Sequence, residues 1–80
     1  MMNTDYIETP DYLVNERINH LVNYGYFGYK VINIEFDDYR GQIISVARNN
    51  KGNVLSAYGE TKDDSCMKLI DLIDITVDSY

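Results

Sequence analysis

The sequence predicts an α+β domain of order α-β-β-β-α, a three-stranded antiparallel sheet with both helices packed on one face. Three observations carry this prediction. Apolar residues recur at helical spacing near both ends of the 80-residue chain, residues rich in β-branched side chains lie between them, and short connections join the central segments. Because short connections join neighbouring antiparallel strands, we expect a meander. Residues 1–8 are predicted to be a flexible leader and residues 9–80 the single domain.

The first helix is predicted to begin at Thr9. Thr9 can cap the free amides, Pro10 suits the first helical position, and Asp11 favours the positive end of the helix dipole. Gly25 is placed to end the helix in a left-handed conformation. The apolar positions at helical spacing are Leu13, Val14, Ile18, Leu21 and Val22.

Three strands are predicted next, over residues 30–37, 42–48 and 53–58. Residues 38–41 read as a turn, and Asn49-Asn50-Lys51-Gly52 is a strong hairpin signal. The first strand alternates apolar with other residues, which predicts a single apolar face. The members of that predicted face are Ile32, Ile34 and Phe36.

The second helix is predicted over residues 62–74. Thr61 with Asp64 three residues later resembles a capping box, with Asp in place of the longer Glu or Gln. The β-branched residues 75–77 weaken the helix toward its end. One face is apolar and comprises Cys66, Leu69, Ile70, Ile73 and Val77.

Composition limits the classes of function. The net charge of −6 and pI near 4.4 disfavour direct binding to nucleic acid, which attracts clustered Lys and Arg. The single cysteine, Cys66, excludes an internal disulfide and fits a reducing compartment. No apolar run reaches the roughly 18 residues of a membrane span, and the start of the chain lacks a signal-peptide pattern. These features together predict a cytoplasmic protein.

The negative charge is concentrated near the end of the chain. Residues 60–80 carry a net charge of −4, residues 1–28 of −3, and residues 29–59 of +1. Glu60 and Asp63 lie at the start of the second helix, where capping explains them. The other four acids fall on one side of that helix, opposite its apolar face, and are Asp64, Asp71, Asp74 and Asp78. Such a row can imitate nucleic-acid phosphates toward a basic protein. The alternative is a solvated face that keeps a small domain in solution.

Tyrosine is unusually frequent, with eight tyrosines and no tryptophan. Because tyrosine supplies large amphipathic contact area, it is enriched at protein interfaces. Tyr26, Tyr39 and Tyr58 are therefore the candidate anchors for a partner. The alternative is that these side chains edge the core of a small protein.

No catalytic or metal-binding pattern is visible. His20 falls on the polar side of the first helix, and Cys66 falls on the apolar face of the second, so neither has a partner for nucleophilic catalysis. Glu35, Asp37 and Asp38 form too small a ligand set for a divalent cation. The sequence predicts a protein that is not an enzyme and has no metal or cofactor.

The layout resembles that of the double-stranded-RNA-binding domain, with a Gly-containing third strand over residues 53–59 and a capped second helix. In that family the start of the second helix is lysine-rich and grips phosphates. Lys62-Asp63-Asp64 stands at that position here, so the resemblance implies the layout without the RNA-binding function. The turn over residues 59–65 also resembles the strand-to-helix turn of HicB-like antitoxin domains, although those domains begin with a strand.

Size, acidity, tyrosine and asparagine content and layout together resemble small proteins of phages and mobile elements, including Cas9-inhibiting anti-CRISPR proteins. This resemblance implies a non-enzymatic inhibitor that binds the basic nucleic-acid-binding surface of a protein partner, such as a CRISPR effector nuclease, in the host cytoplasm. The acidic side of the second helix would then act as a DNA mimic. The alternative is an adaptor or antitoxin-like module that binds through the open sheet face or a strand edge, as a homodimer in one version.

Overall fold

The protein has the predicted α-β-β-β-α order in a computed structural model that describes residues 11–79. The predicted leader and the capping residues Thr9 and Pro10 lie outside the described residues. The elements are α1 (Asp11–Tyr24), β1 (Tyr29–Asp37), β2 (Gln42–Asn49), β3 (Val54–Gly59) and α2 (Lys62–Asp78). None of the described helices combines the length and apolar character needed to cross a membrane.

The strands form an antiparallel meander in the order β1-β2-β3. Directly opposed residues share a face of the sheet, so the register sorts every strand residue to one of two faces. Helix α2 packs on β2 and β3, and α1 packs on β1 and α2. Both helices therefore cover one face, as predicted. We call it the helix face, and it contains Val31, Ile34, Ser45, Ala47, Leu55 and Ala57.

The core lies between α2 and the helix face. The predicted apolar face of α2 is confirmed, with Val77 packed at its margin. Burying each large aliphatic side chain stabilises the fold by about 1.5–3 kcal/mol. The core residues of α2 are Cys66, Leu69, Ile70 and Ile73.

Helix α1 contributes a narrower stripe to the core than its sequence predicts. Ile18 and Leu21 are buried, whereas Leu13 and Val22 are 37% and 40% exposed. Helix α1 touches β1 and α2 but makes no comparable contact with β2 or β3. It therefore lies over the edge of the sheet, where one line of side chains is enough to fill the contact.

A β-bulge in β1 changes which residues of that strand lie on each face of the sheet. The pairing with β2 shifts between Val31 and Asn33, which leaves Ile32 as an extra residue. Val31 packs against the core, and Ile32 is 51% exposed. The prediction that Ile32 shares the apolar face of Ile34 is therefore wrong, because strict alternation does not continue through a bulge.

A tight turn connects α1 to β1. Gly25 adopts φ +91°, and its N–H donates to the carbonyls of His20 and Leu21 at 3.0 Å, so the predicted left-handed helix end is confirmed. Tyr26 and Tyr29 then exchange two backbone hydrogen bonds, of 2.8 and 2.9 Å. Phe27 lies between them at φ +48°, a left-handed conformation that costs about 1 kcal/mol for a residue with a side chain. The turn fixes the direction in which Tyr26 leaves the chain.

Small residues bring α2 close to the sheet. Ser65 donates its hydroxyl to the Lys62 carbonyl at 3.0 Å, and its Oγ lies 2.6 Å from Oγ of Ser45. Ser45 is therefore the donor in the bond between the two serines, and Cys66 Sγ, at 3.5 Å, can donate to Ser45. A Cβ atom on Gly59 would lie 2.3 Å from the Ser65 nitrogen. Only glycine fits at this contact.

We predict that Gly59→Ala destabilises the protein by about 2–3 kcal/mol, because backbone must move to admit one methyl group. Gly52→Ala is the matched control: it has open space at φ +90° and should cost only about 1 kcal/mol of conformational strain. Urea denaturation of both variants measures the two free energies of unfolding. A Gly59→Ala cost no larger than that of Gly52→Ala would contradict the close contact.

Candidate functional site

The four acids on the outer side of α2 divide into two pairs. Asp64 and Asp74 are half-buried and form intrachain hydrogen bonds, while Asp71 and Asp78 are exposed to solvent. The structure thus places all four on the predicted helix but gives them different surroundings.

Asp64 belongs to the helix cap. Its Oδ2 accepts from the Glu60 N–H at 3.0 Å, and its own N–H donates to Thr61 Oγ1 at 3.0 Å. The bond from Asp64 N–H to Thr61 confirms the predicted cap at Thr61, while the Asp64 carboxylate reaches the N–H of Glu60, one residue before the cap, instead of that of Thr61 as in a full capping box. The bond from the Glu60 amide lowers the pKa of Asp64, and Lys68, 3.3 Å away, lowers it further while burial acts in the opposite direction. The role of Asp64 in capping α2 therefore explains why a carboxylate is present at this position.

Asp74 ties α2 to the turn after α1. Its Oδ1 accepts from the Tyr26 hydroxyl at 2.6 Å, across 48 positions of sequence. This bond, followed by burial, raises the pKa of Tyr26, and nearby Arg17 acts in the opposite direction. Tyr26 also lines a cavity of about 180 Å³ between the helices, with Glu16, Arg17, His20 and Ile70. Tyr26 is therefore a link between helices as well as a candidate anchor.

The side chains of Asp71 and Asp78 form no hydrogen bond or ion pair with other residues of the described range 11–79. Asp78 lies in the last turn of α2, where the helix dipole disfavours negative charge, and that turn contains no basic residue. Asp74 precedes it by four positions, a spacing at which like charges repel, and this reduces helix stability by a few tenths of a kcal/mol. Asp71 has Asp74 three positions after it but also Lys68 three positions before it, so repulsion and attraction offset each other. Helix stability therefore does not explain Asp78.

The other two candidate anchors both contact Asp37, at the β1–β2 turn. Tyr39 is fully exposed in the β1–β2 turn, where its N–H donates to Asp37 Oδ1 at 2.9 Å. Tyr58 donates its hydroxyl to Asp37 Oδ2 at 3.2 Å, and the Arg40 guanidinium lies 4.5 Å from the centre of its ring. By register, Tyr58 lies on the face of the sheet away from α2. The structure does not bring Tyr58 together with the acids of α2.

The sheet face away from the helices is a second candidate surface, which we call the open face. Two basic residues lie at one end and one acidic residue at the other, and the apolar side chains lie on β2 and β3. The sequence of β2 indicated a second apolar surface, because the residues on both faces of that strand are partly apolar. The sequence alone could not say which face the helices cover. In register, its rows are Lys30–Arg48–Val54, Asn33–Val46–Ser56 and Glu35–Ile44–Tyr58.

Groups that could support catalysis or metal binding are dispersed. His20 is exposed and its ring lies 5.4 Å from that of Tyr24, whereas Cys66 is buried beside Ser45. Within residues 11–79, no three His, Cys, Asp or Glu side chains are grouped closely enough to hold a metal ion.

Comparison of the chain with known protein families, curated proteins and solved structures found no match. The resemblances to anti-CRISPR proteins, to the double-stranded-RNA-binding domain and to HicB-like antitoxins stay predictions from the sequence.

We predict that Asp64→Asn lowers the free energy of unfolding by roughly 0.5–1 kcal/mol at pH 7, because a charge-assisted cap becomes neutral. The lowered pKa of Asp64 means that this stabilisation is present above pH 3.8 and is lost as pH falls through the pKa of the folded protein. The difference between wild type and variant should therefore shrink below pH 3.8.

Denaturation at pH 7 and at pH 2.5 checks this. Asp71→Asn is the control, because it removes the same charge from an exposed site on the same helix and should leave stability within about 0.5 kcal/mol at both pH values. An Asp64→Asn effect that is equal at both pH values would contradict the role of the carboxylate in the cap.

Proposed function

We propose that this protein is a non-enzymatic inhibitor that binds the basic, nucleic-acid-binding surface of a protein partner through the outer side of α2. The observation that carries the proposal is the exposure of Asp71 and Asp78 on the outer side of α2, with Asp78 in the last turn, where negative charge is unfavourable. Charge that costs helix stability is expected where a partner compensates for it. Solvation alone would be served equally well by acids at the start of the helix.

The acids on the outer side of α2 form a row that a basic surface can contact. Asp71 and Asp78 are seven residues apart, or about 10.5 Å along a helix. Asp74 lies between them, and its second oxygen, Oδ2, is left to accept from a partner while Oδ1 holds Tyr26. Arg and Lys side chains aligned for phosphates could therefore pair with carboxylates along this helix.

The fold reduces the number of residues that we propose as contacts for the partner. Asp64 is committed to the helix cap and contributes its charge at one end of the row. Tyr26 borders the acidic side through its bond to Asp74, so it could contact the same partner. Tyr58 lies on the other side of the sheet and Tyr39 in the β1–β2 turn, so contact with Tyr58 would require a partner that wraps around the sheet.

The partner class follows from charge. An acidic protein is steered toward a basic protein surface and away from nucleic acid itself. A CRISPR effector nuclease, with its basic channel for a guide–target duplex, is one partner of this kind. In that version the protein would be phage-encoded and would act in the cytoplasm of the host.

The test is competition for DNA binding by a guide-loaded Cas9-type nuclease, with a labelled target duplex as the probe. We predict that wild-type protein displaces the duplex and that Asp71→Asn combined with Asp78→Asn raises the half-inhibitory concentration about tenfold, because two ion pairs are lost. The matched control combines Asp38→Asn with Glu60→Gln. It removes the same charge from exposed positions outside the acidic side.

Three results would count against the proposal for this partner. One is no displacement at any salt concentration. Another is equal weakening by the α2 pair and the control pair, since net charge would then explain the effect. Inhibition that survives a rise from 50 to 500 mM salt without change would also exclude phosphate mimicry, because exposed ion pairs are screened within about 4 Å at such ionic strength.

A further inference from the structure

The open face combines apolar side chains with charges that form no ion pair within residues 11–79. Ile44, Val46 and Tyr58 are half-buried and Val54 is 55% exposed, although neither helix packs on this side of the sheet. The Arg40 guanidinium lies over the ring of Tyr58. Antiparallel sheets commonly leave one face in water, but such a face is then expected to be polar. The apolar side chains that β2 and β3 present here suit this face to a further contact.

The charges of the open face are separated along the strands. Lys30 and Arg48 are directly opposed on β1 and β2, an arrangement in which like charges repel. Glu35 lies on the same face of β1, beyond the row of Asn33 and Val46. All three charged residues are exposed, and the one ion pair within residues 11–79 is that of Lys68 with Asp64. A basic end and an acidic end are therefore separated by the row of Asn33, Val46 and Ser56.

We propose that the open face binds a second copy of this chain, as a two-fold symmetric dimer in which the strands of the two sheets run in opposite directions. A face with separated opposite charges is complementary to itself only if it is reversed. The helices would lie outside on both sides, as in a four-layer arrangement with two sheets packed about 10 Å apart.

Symmetry leaves two ways to stack the faces, and charge decides between them. A two-fold axis parallel to the strands keeps each row over the same row, so that Arg48 faces the partner's Arg48. An axis across the strands, through the row of Val46, places Lys30 over the partner's Glu35 and Val46 over the partner's Val46. Because the pairs are isologous, the second arrangement forms the Lys30–Glu35 contact twice.

The same arrangement matches the apolar side chains. Val54 falls over the partner's Tyr58, and Ile44 falls over the aliphatic stem of the partner's Arg48, which can cover it. In sheets that pack face to face, the strands of one sheet are rotated by about 30° relative to those of the other. This rotation leaves the paired side chains close enough to touch.

The footprint is small. Three strands spaced about 4.8 Å apart and about 20 Å long cover roughly 300 Å² on each copy, well below what a permanent dimer buries. We therefore expect a dimer that dissociates on dilution and is best measured at tens of micromolar and above.

The experiment is sedimentation equilibrium of the full chain over 10–1000 µM. We expect a monomer–dimer equilibrium in which Lys30→Glu and Glu35→Lys each raise the dissociation constant about tenfold, because each single change creates two like-charge contacts. The double variant Lys30→Glu/Glu35→Lys should restore wild-type affinity, since reversal of both charges preserves the pairing. Circular dichroism and denaturation confirm that each variant folds.

A monomer throughout this concentration range would overturn the proposal. So would a dimer that the single exchanges leave unchanged, or one that the double exchange fails to restore, because the reversed stacking requires both effects. Asp71→Asn combined with Asp78→Asn should leave the dimer constant unchanged, because those acids lie on the outer side. The experiment on the dimer and the competition experiment on the acidic side of α2 therefore test the two proposals separately.

Discussion

The close approach of α2 to the sheet at Gly59 and Ser65 determines the arrangement of the rest of the protein. Gly59 leaves room for the first turn of the helix, and the serine pair joins helix and strand inside the core. Buried polar groups destabilise a protein when they lack partners. Here the hydroxyls pass hydrogen bonds from one to the next as far as the Lys62 carbonyl. With its start fixed in this way, α2 presents one face to the core and the opposite face to solvent.

The second long-range polar contact fixes the other end of the helix layer. Tyr26 reaches Asp74 because a turn with left-handed residues at Phe27 and Gly28 directs it toward α2. The conformational cost at Phe27 is comparable to the gain from one hydrogen bond. Helix α1 has only a narrow apolar stripe, so this bond adds to the few contacts that hold it beside α2.

The two surfaces of the protein have different physical origins. The outer side of α2 is polar because the opposite side fills the core, and two of its acids have become part of the fold. The open face carries apolar side chains on β2 and β3 that neither α1 nor α2 covers. A small domain has only one core to fill, so apolar residues outside that core and acids that weaken a helix are the features that binding would explain.

The sequence by itself determined the element order, the apolar face of α2, the glycine that ends α1 and the helix cap at Thr61. These follow from local periodicity and capping chemistry, which act over a few residues. Only the tertiary structure decided that Ile32 leaves the core face and that Asp74 is held by Tyr26. It also placed Tyr58 away from the acidic helix. A bulge moves every later residue of a strand, and contacts between distant residues depend on packing, so neither can be read from local spacing.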